Sequence, residues 1–199
     1  MTIAEDVARC IAVRTDNGLG WVASTTEPAG DAVISECGTY RYFLTRRWQP
    51  GNKGVLWHML NPSTADASIP DATVRKVIGF SSLWGFDYAA ITNTRPFRSR
   101  DPGALRRWLR NEPSMVRNVT QVQDDYVREA LKHVSRVVLA WGANGIYDEQ
   151  RVLAVRRSLL NSGDQFLQVG HLGLTNDGHP KHPLTLSYAT PFTLYHKAA

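Results

Sequence analysis

A chain of 199 residues with 43% hydrophobic and 21% charged residues has the size and composition of one globular domain with a real core. No apolar stretch reaches membrane-spanning length, two cysteines cannot build a four-cysteine cluster, and the acidic start of MTIAEDVARC lacks a basic-then-apolar leader pattern, so a cytoplasmic monomer is expected. The net charge of +5 is uneven, with two basic against six acidic residues in 1–39 and 21 against 12 in the remaining 160.

Residues 1–38 are weakly patterned and punctuated by glycine (DNGLG, EPAGDA, ECG), and read as an N-terminal extension or early hairpin over 1–39 packed on a domain spanning 40–199. YRYFLTRRW (40–48) alternates and is rich in aromatics, as a strand does. QPGNKG is a turn, and VLWHML (55–60) is a continuous apolar run, the mark of a strand covered on both faces. DATVRKVIGFSSLWG (71–85) has an acidic start, helical spacing and a glycine stop. FDYAAITN (86–93) reads as a second buried strand. After it comes TRPFRSRDPGALRRWLR (94–110), with six arginines and an Asp101-Pro102 helix start. NVTQVQDDYVREALKHV (118–134) carries Val122, Tyr126, Ala130 and Val134 on one helical stripe. SRVVLAWG (135–142) is a third buried strand, YDEQRVLAVRRSLL (147–160) an amphipathic helix, and QFLQVG (165–170) a fourth strand.

Strands alternating with helices predict an α/β fold, a three-layer sandwich on a mostly parallel sheet. In such sheets ligands bind beyond the carboxyl ends of the strands. There stand Asn61-Pro62-Ser63-Thr64, Asn93-Thr94-Arg95 and Trp141-Gly142, with a fourth loop supplying His179 and His182. Singly, each has an ordinary structural explanation: a helix cap, an Asx turn, core packing, a loop held by prolines. Their coincidence on one rim points to a site.

The chain has no GxGxxG, GxxxxGK[ST] or GxSxG, which disfavours dinucleotide, ATP-driven and serine-elbow chemistry. His179 and His182 could share a metal with Asp66 or Asp71, but each histidine precedes a proline, and the extended bias there argues against one metal face. No metal or cofactor is expected. Arg95, Arg98, Arg100, Arg106, Arg107 and Arg110, with Lys181, suit phosphate contact and predict a DNA-facing surface.

The stretches LNPSTADA, ITNTRPF, VVLAWG and LGLTNDGHPKHPLTL together resemble a family of small bacterial and phage proteins marked by an LNPSTAD signature and a terminal HPL, over roughly residues 40–188. The same layout resembles the uracil-DNA glycosylase superfamily, with MLNPS in place of its Asn-Pro-Gly loop, AITN for its later strand end and HPLTLS for its His-Pro-Ser loop. The resemblance implies a glycosylase-like fold. It implies that Asn61 positions the hydrolytic water, Asn93 lines the base pocket, His182 meets the extruded base, and Leu184 or Leu186 wedges into the stack. Ser63 for glycine, HPL for HPS and the insert TADASIPDA depart from that pattern and leave the base open.

Cleaving a base from deoxyribose passes through an oxocarbenium-like sugar, which suits these residues. A neutral imidazole or carboxamide can meet charge gathering on the base, an Asn oxygen can orient water, and Asp66 or Asp71 can serve as the stronger base. Pro62, Ser63, Thr64, Asp71, Asn93, Trp141, His179 and Leu184 are the expected substrate contacts, and Asn61, Asp66 and His182 the expected catalytic groups. The expected activity is excision of a flipped pyrimidine from double-stranded DNA: uracil, or a hydroxymethylated or glucosylated cytosine, with a role in phage defence. A hydrolase or transferase of free nucleotides and a non-catalytic nucleic-acid module are the alternatives.

Overall fold

The structure, a computed structural model, describes residues 2–12, 29–63, 71–161 and 166–195. Helix α1 (Ile3–Ile11) starts at a capping box in which Thr2 and Glu5 satisfy each other's backbone amides. It buries Val7 and Cys10, and Thr45 and Arg47 of the sheet donate to its carbonyls at Cys10 and Ile11. Strands β1 (Ala29–Ile34) and β2 (Arg41–Arg47) form an antiparallel pair. Within 1–39, expected as an extension or early hairpin, α1 and β1 thus share the core and the sheet of the residues that follow.

Then come β3 (Gly54–Met59), α2 (Ala72–Leu83), β4 (Tyr88–Asn93), α3 (Pro102–Asn111), α4 (Pro113–Leu131), β5 (Arg136–Leu139), a 3-10 turn at Ala143–Asp148, α5 (Glu149–Leu160), β6 (Gln168–His171), a short 3-10 turn at Pro183–Thr185 and β7 (Thr193–Leu194). Asp71 caps α2 by accepting from Val74 N–H at 2.8 Å, and Asp101 caps α3 ahead of Pro102. Helix α4 begins at Pro113, five residues before the expected start, because a proline fits a first helical turn and the preceding Glu112 closes α3 at the same point.

The seven strands lie in the order β1-β2-β4-β3-β5-β6-β7. Pairings β3–β4, β3–β5 and β5–β6 are parallel, whereas β1–β2, β2–β4 and β6–β7 are antiparallel. The sheet is therefore mixed, with its parallel part confined to the centre, where the strand-helix-strand connections lie. On one face, α1, α3, α4 and α5 cover Leu56, Ala90, Val137, Leu139 and Val169. On the other, Val74, Val77 and Phe80 of α2 cover Val55, Trp57, Met59, Ile91 and Val138. This alternation along β3 is the period-2 rule acting on a strand buried on both faces. Among the described residues no helix is long and apolar enough to cross a membrane.

The chain leaves β3 toward β4 on one side and later returns to β5 on the other. The gap between the carboxyl ends of β3 and β5 is thus the point where the strand order reverses, the usual place for a ligand in such a sheet.

Candidate active site

A cavity of about 390 Å³ opens at that reversal point, lined among others by Asn61, Ser63, Asp71, Asn93, Trp141, His182 and Leu184. Each of these was expected from sequence, and together they come from five separate segments of the chain. The described part of β3 runs out into Asn61, whose side-chain amide donates to the carbonyls of Ser99 (3.0 Å), Pro62 (3.3 Å) and Phe97 (3.4 Å). Only an N–H can meet three carbonyls, so the carboxamide orientation is fixed and Oδ1 is the end turned away from them. Pro62 is buried and its carbonyl also accepts from Ser99 N–H, which locks the loop to the segment after β4.

Asn93, at the end of β4, is 2% exposed and lines the cavity. Its neighbours are bonded inward. Thr94 Oγ1 donates to Met59 O (3.1 Å) and so receives His58 Nε2–H (3.2 Å), while Thr92 Oγ1 donates to His58 Nδ1 (2.9 Å). Burial holds His58 down at about 3, a neutral and fully satisfied imidazole.

His182 begins the Pro183–Thr185 turn and its Nδ1 accepts from Leu184 N–H at 3.3 Å. Burial lowers its pKa, with Asp71 pulling the other way. A neutral ring that accepts at Nδ1 carries its proton at Nε2, so His182 is a hydrogen-bond donor on the cavity wall. Gly142, at φ 73°, makes the close approach possible: a Cβ there would lie 3.1 Å from His182 Cβ. Asp71 accepts from Ser63 O–H with the oxygen not used to cap α2.

Arg41 and Asn144 line the cavity without having been read from the sequence, and Arg100, expected as a phosphate contact, lines it too. Arg41 heads β2 and is 3% exposed, and burial lowers its guanidinium to about 10, opposed by Asp71 and reinforced by Arg98 and Arg46.

Other expected residues are placed elsewhere. His179 is buried behind Trp141, accepting from its Nε1 at 3.3 Å, and supports the wall without lining the cavity. Thr64 and Asp66 lie outside the described residues. The arginine surface is narrower than expected. Arg95 pairs with Asp148 through two bonds (2.5 and 3.1 Å) and donates to Thr120, with both acidic and basic side chains 13% exposed, so it faces inward. Arg98 donates to Gly38 O, and Arg107 pairs with Asp101. Arg100, Arg106, Arg107, Arg110 and Lys181 are on the exposed surface. Among the described residues no three metal-ligating side chains stand together.

A second, larger groove of about 620 Å³ lies between α4 and α5, floored by Val127, Leu131, Val155 and Leu159 and crossed by an Asp124–Arg151 ion pair. A family model described as "Protein of unknown function (DUF1643)" matches residues 41–184, a span that holds every residue of the cavity at the strand ends. No curated protein and no solved structure matches the chain.

Proposed function

The chain belongs to the family described as protein of unknown function (DUF1643), and from that premise we propose that it is a DNA glycosylase whose strand-end cavity receives one everted, modified pyrimidine. The observation that carries this reading is the convergence of three groups, the Asn61 carboxamide, the Asn93 carboxamide and the neutral His182 ring, on one cavity beside a buried cation. A nucleobase edge offers donors and acceptors that can meet the Asn93 carboxamide on the cavity wall.

In this reading the base is held by Asn93 and by His182 Nε2–H. The bond from C1′ to the base nitrogen breaks with its electron pair leaving on the base, where His182 and the positive field of Arg41 stabilise the charge. Asn61 Oδ1 accepts a hydrogen bond from a water on the opposite face of the sugar. The water oxygen bonds to C1′, its proton passes to Asp71, and the departed base takes a proton from solvent. The sum is the addition of water across the glycosidic bond. Leu184, 43% exposed at the cavity mouth, wedges into the gap left in the stack, and Arg100, Arg106, Arg110 and Lys181 meet phosphates.

Duplexes carrying uracil, 5-hydroxymethylcytosine or its glucosylated form, incubated with micromolar protein and treated with alkali, should be cut at one of these bases. Intact strands on all three would contradict the reading. The inward-facing Arg95 and Arg98 favour a second reading, hydrolysis of free nucleotides, which needs the cavity without a broad DNA surface. Reversing Arg106, Arg110 and Lys181 to Glu would leave that activity intact and abolish excision from DNA.

A further inference from the structure

The 3-10 turn Ala143–Asp148 connects the cavity to the protein surface. Its Asn144 lines the cavity, while Ile146 and Tyr147 stand 53% and 37% exposed. Large apolar side chains presented side by side on a surface mark a contact with something. The turn is held rigidly. At its start a Cβ on Gly145 would fall 2.4 Å from Trp141 Cδ1, so the backbone rests directly on the buried tryptophan. At its end Asp148 is clamped by Arg95. Arg106, from α3, lies over the Tyr147 ring with its guanidinium carbon 4.8 Å from the centroid.

An exposed aromatic backed by an arginine, next to further exposed arginines on α3, matches the chemistry of a base-stacking platform in a phosphate-rich setting. We propose that Ile146 and Tyr147 form such a platform for a nucleobase beside the everted nucleotide. The platform lies on the Asn144 side of the cavity mouth and belongs to a different element from Leu184. The inference rests on the DNA reading above. Charge complementarity and continuity with the cavity through Asn144 select a nucleic-acid base as the occupant over an apolar protein surface.

The test is fluorescence anisotropy of a labelled single strand and of a mismatched duplex over a salt series, with wild type, Tyr147→Ala, Ile146→Ser, Tyr147→Phe and Arg106→Ala. Stacking of one base corresponds to an affinity loss of roughly 5- to 100-fold in Tyr147→Ala. That loss should come with an unchanged slope of log affinity against log salt, because no phosphate contact is removed. Ile146→Ser should weaken binding in the same way, Tyr147→Phe should keep wild-type affinity, and Arg106→Ala should lower the slope. Both side chains are exposed, so the variants should fold, which a thermal melt checks. Wild-type affinity in Tyr147→Ala and Ile146→Ser, or a loss that follows the salt slope, overturns the platform and leaves the DNA reading standing. A wild type that binds neither probe overturns both.

Discussion

The groove between α4 and α5 holds about 620 Å³ against about 390 Å³ for the cavity at the strand ends, yet the two differ more in chemistry than in size. Around the groove the charged groups pair, Asp124 with Arg151, Asp125 with Arg128 and Glu129 with Lys132, and His58 sits between two threonines. Around the cavity, uncharged polar groups face one hollow: the Asn61 amide, held by its nitrogen, the Asn93 carboxamide and the His182 ring. Neutral donors and acceptors converging on one hollow set the cavity apart from the groove more than volume does.

Bulk placed in each hollow separates them most sharply. Ala72→Trp, at the first residue of α2 on the cavity wall, should reduce excision below detection, whereas Ser158→Trp in the groove should leave it unchanged. Equal effects would erase the distinction. Asn61→Ala should lower single-turnover excision on the order of 10²–10³-fold, the usual loss for one positioning or charge-stabilising group, while a thermal melt and duplex affinity stay near wild type.

A buried ion pair and a buried histidine should respond in stability. Asp148→Asn leaves Arg95 buried without its charge partner and should cost about 2–3 kcal/mol in chemical denaturation, with little change in the salt slope of DNA binding. His58 offers a pH signature. Its folded-state pKa of about 3 lies below the ordinary 6.5, so its stabilising share is complete above pH 6.5 and is lost as pH falls toward 3. Between pH 6 and pH 4 the wild type should lose roughly 1 kcal/mol per pH unit from this residue, a slope absent in His58→Gln. The smallest effect belongs to Arg110→Ala on the exposed face of α3. If Arg110 meets a phosphate, the salt slope should fall by about 1.

Much of the cavity was legible because buried parallel strands announce themselves as apolar runs and the rim residues follow directly after them. MLN, ITN and AWG each mark such an exit, and the topology brings the exits together. Arg41 had no comparable signal. It heads a strand that also carries Arg46 and Arg47, all three buried, and local pattern alone reads such arginines as solvated. Arg95 failed in the opposite direction: within a run of six arginines, only the tertiary placement of Asp148, 53 residues away, tells that it faces inward. The antiparallel edges were also invisible, since the pairing of β2 with β4 depends on a neighbour distant in sequence. Helix α1 has a capping box at Thr2 and Glu5, a signal present in the sequence but obscured by the weakly patterned stretch around it.

Base eversion can be followed apart from bond cleavage. A 2-aminopurine placed beside the target base in a duplex brightens when its stacking partner swings out. With the target identified by alkali cleavage, the account predicts brightening by wild type and by Asn61→Ala, and none by Ala72→Trp. Equal brightening by all three proteins, or by none, would contradict the claim that the cavity at the ends of β3, β4 and β5 is where the base goes.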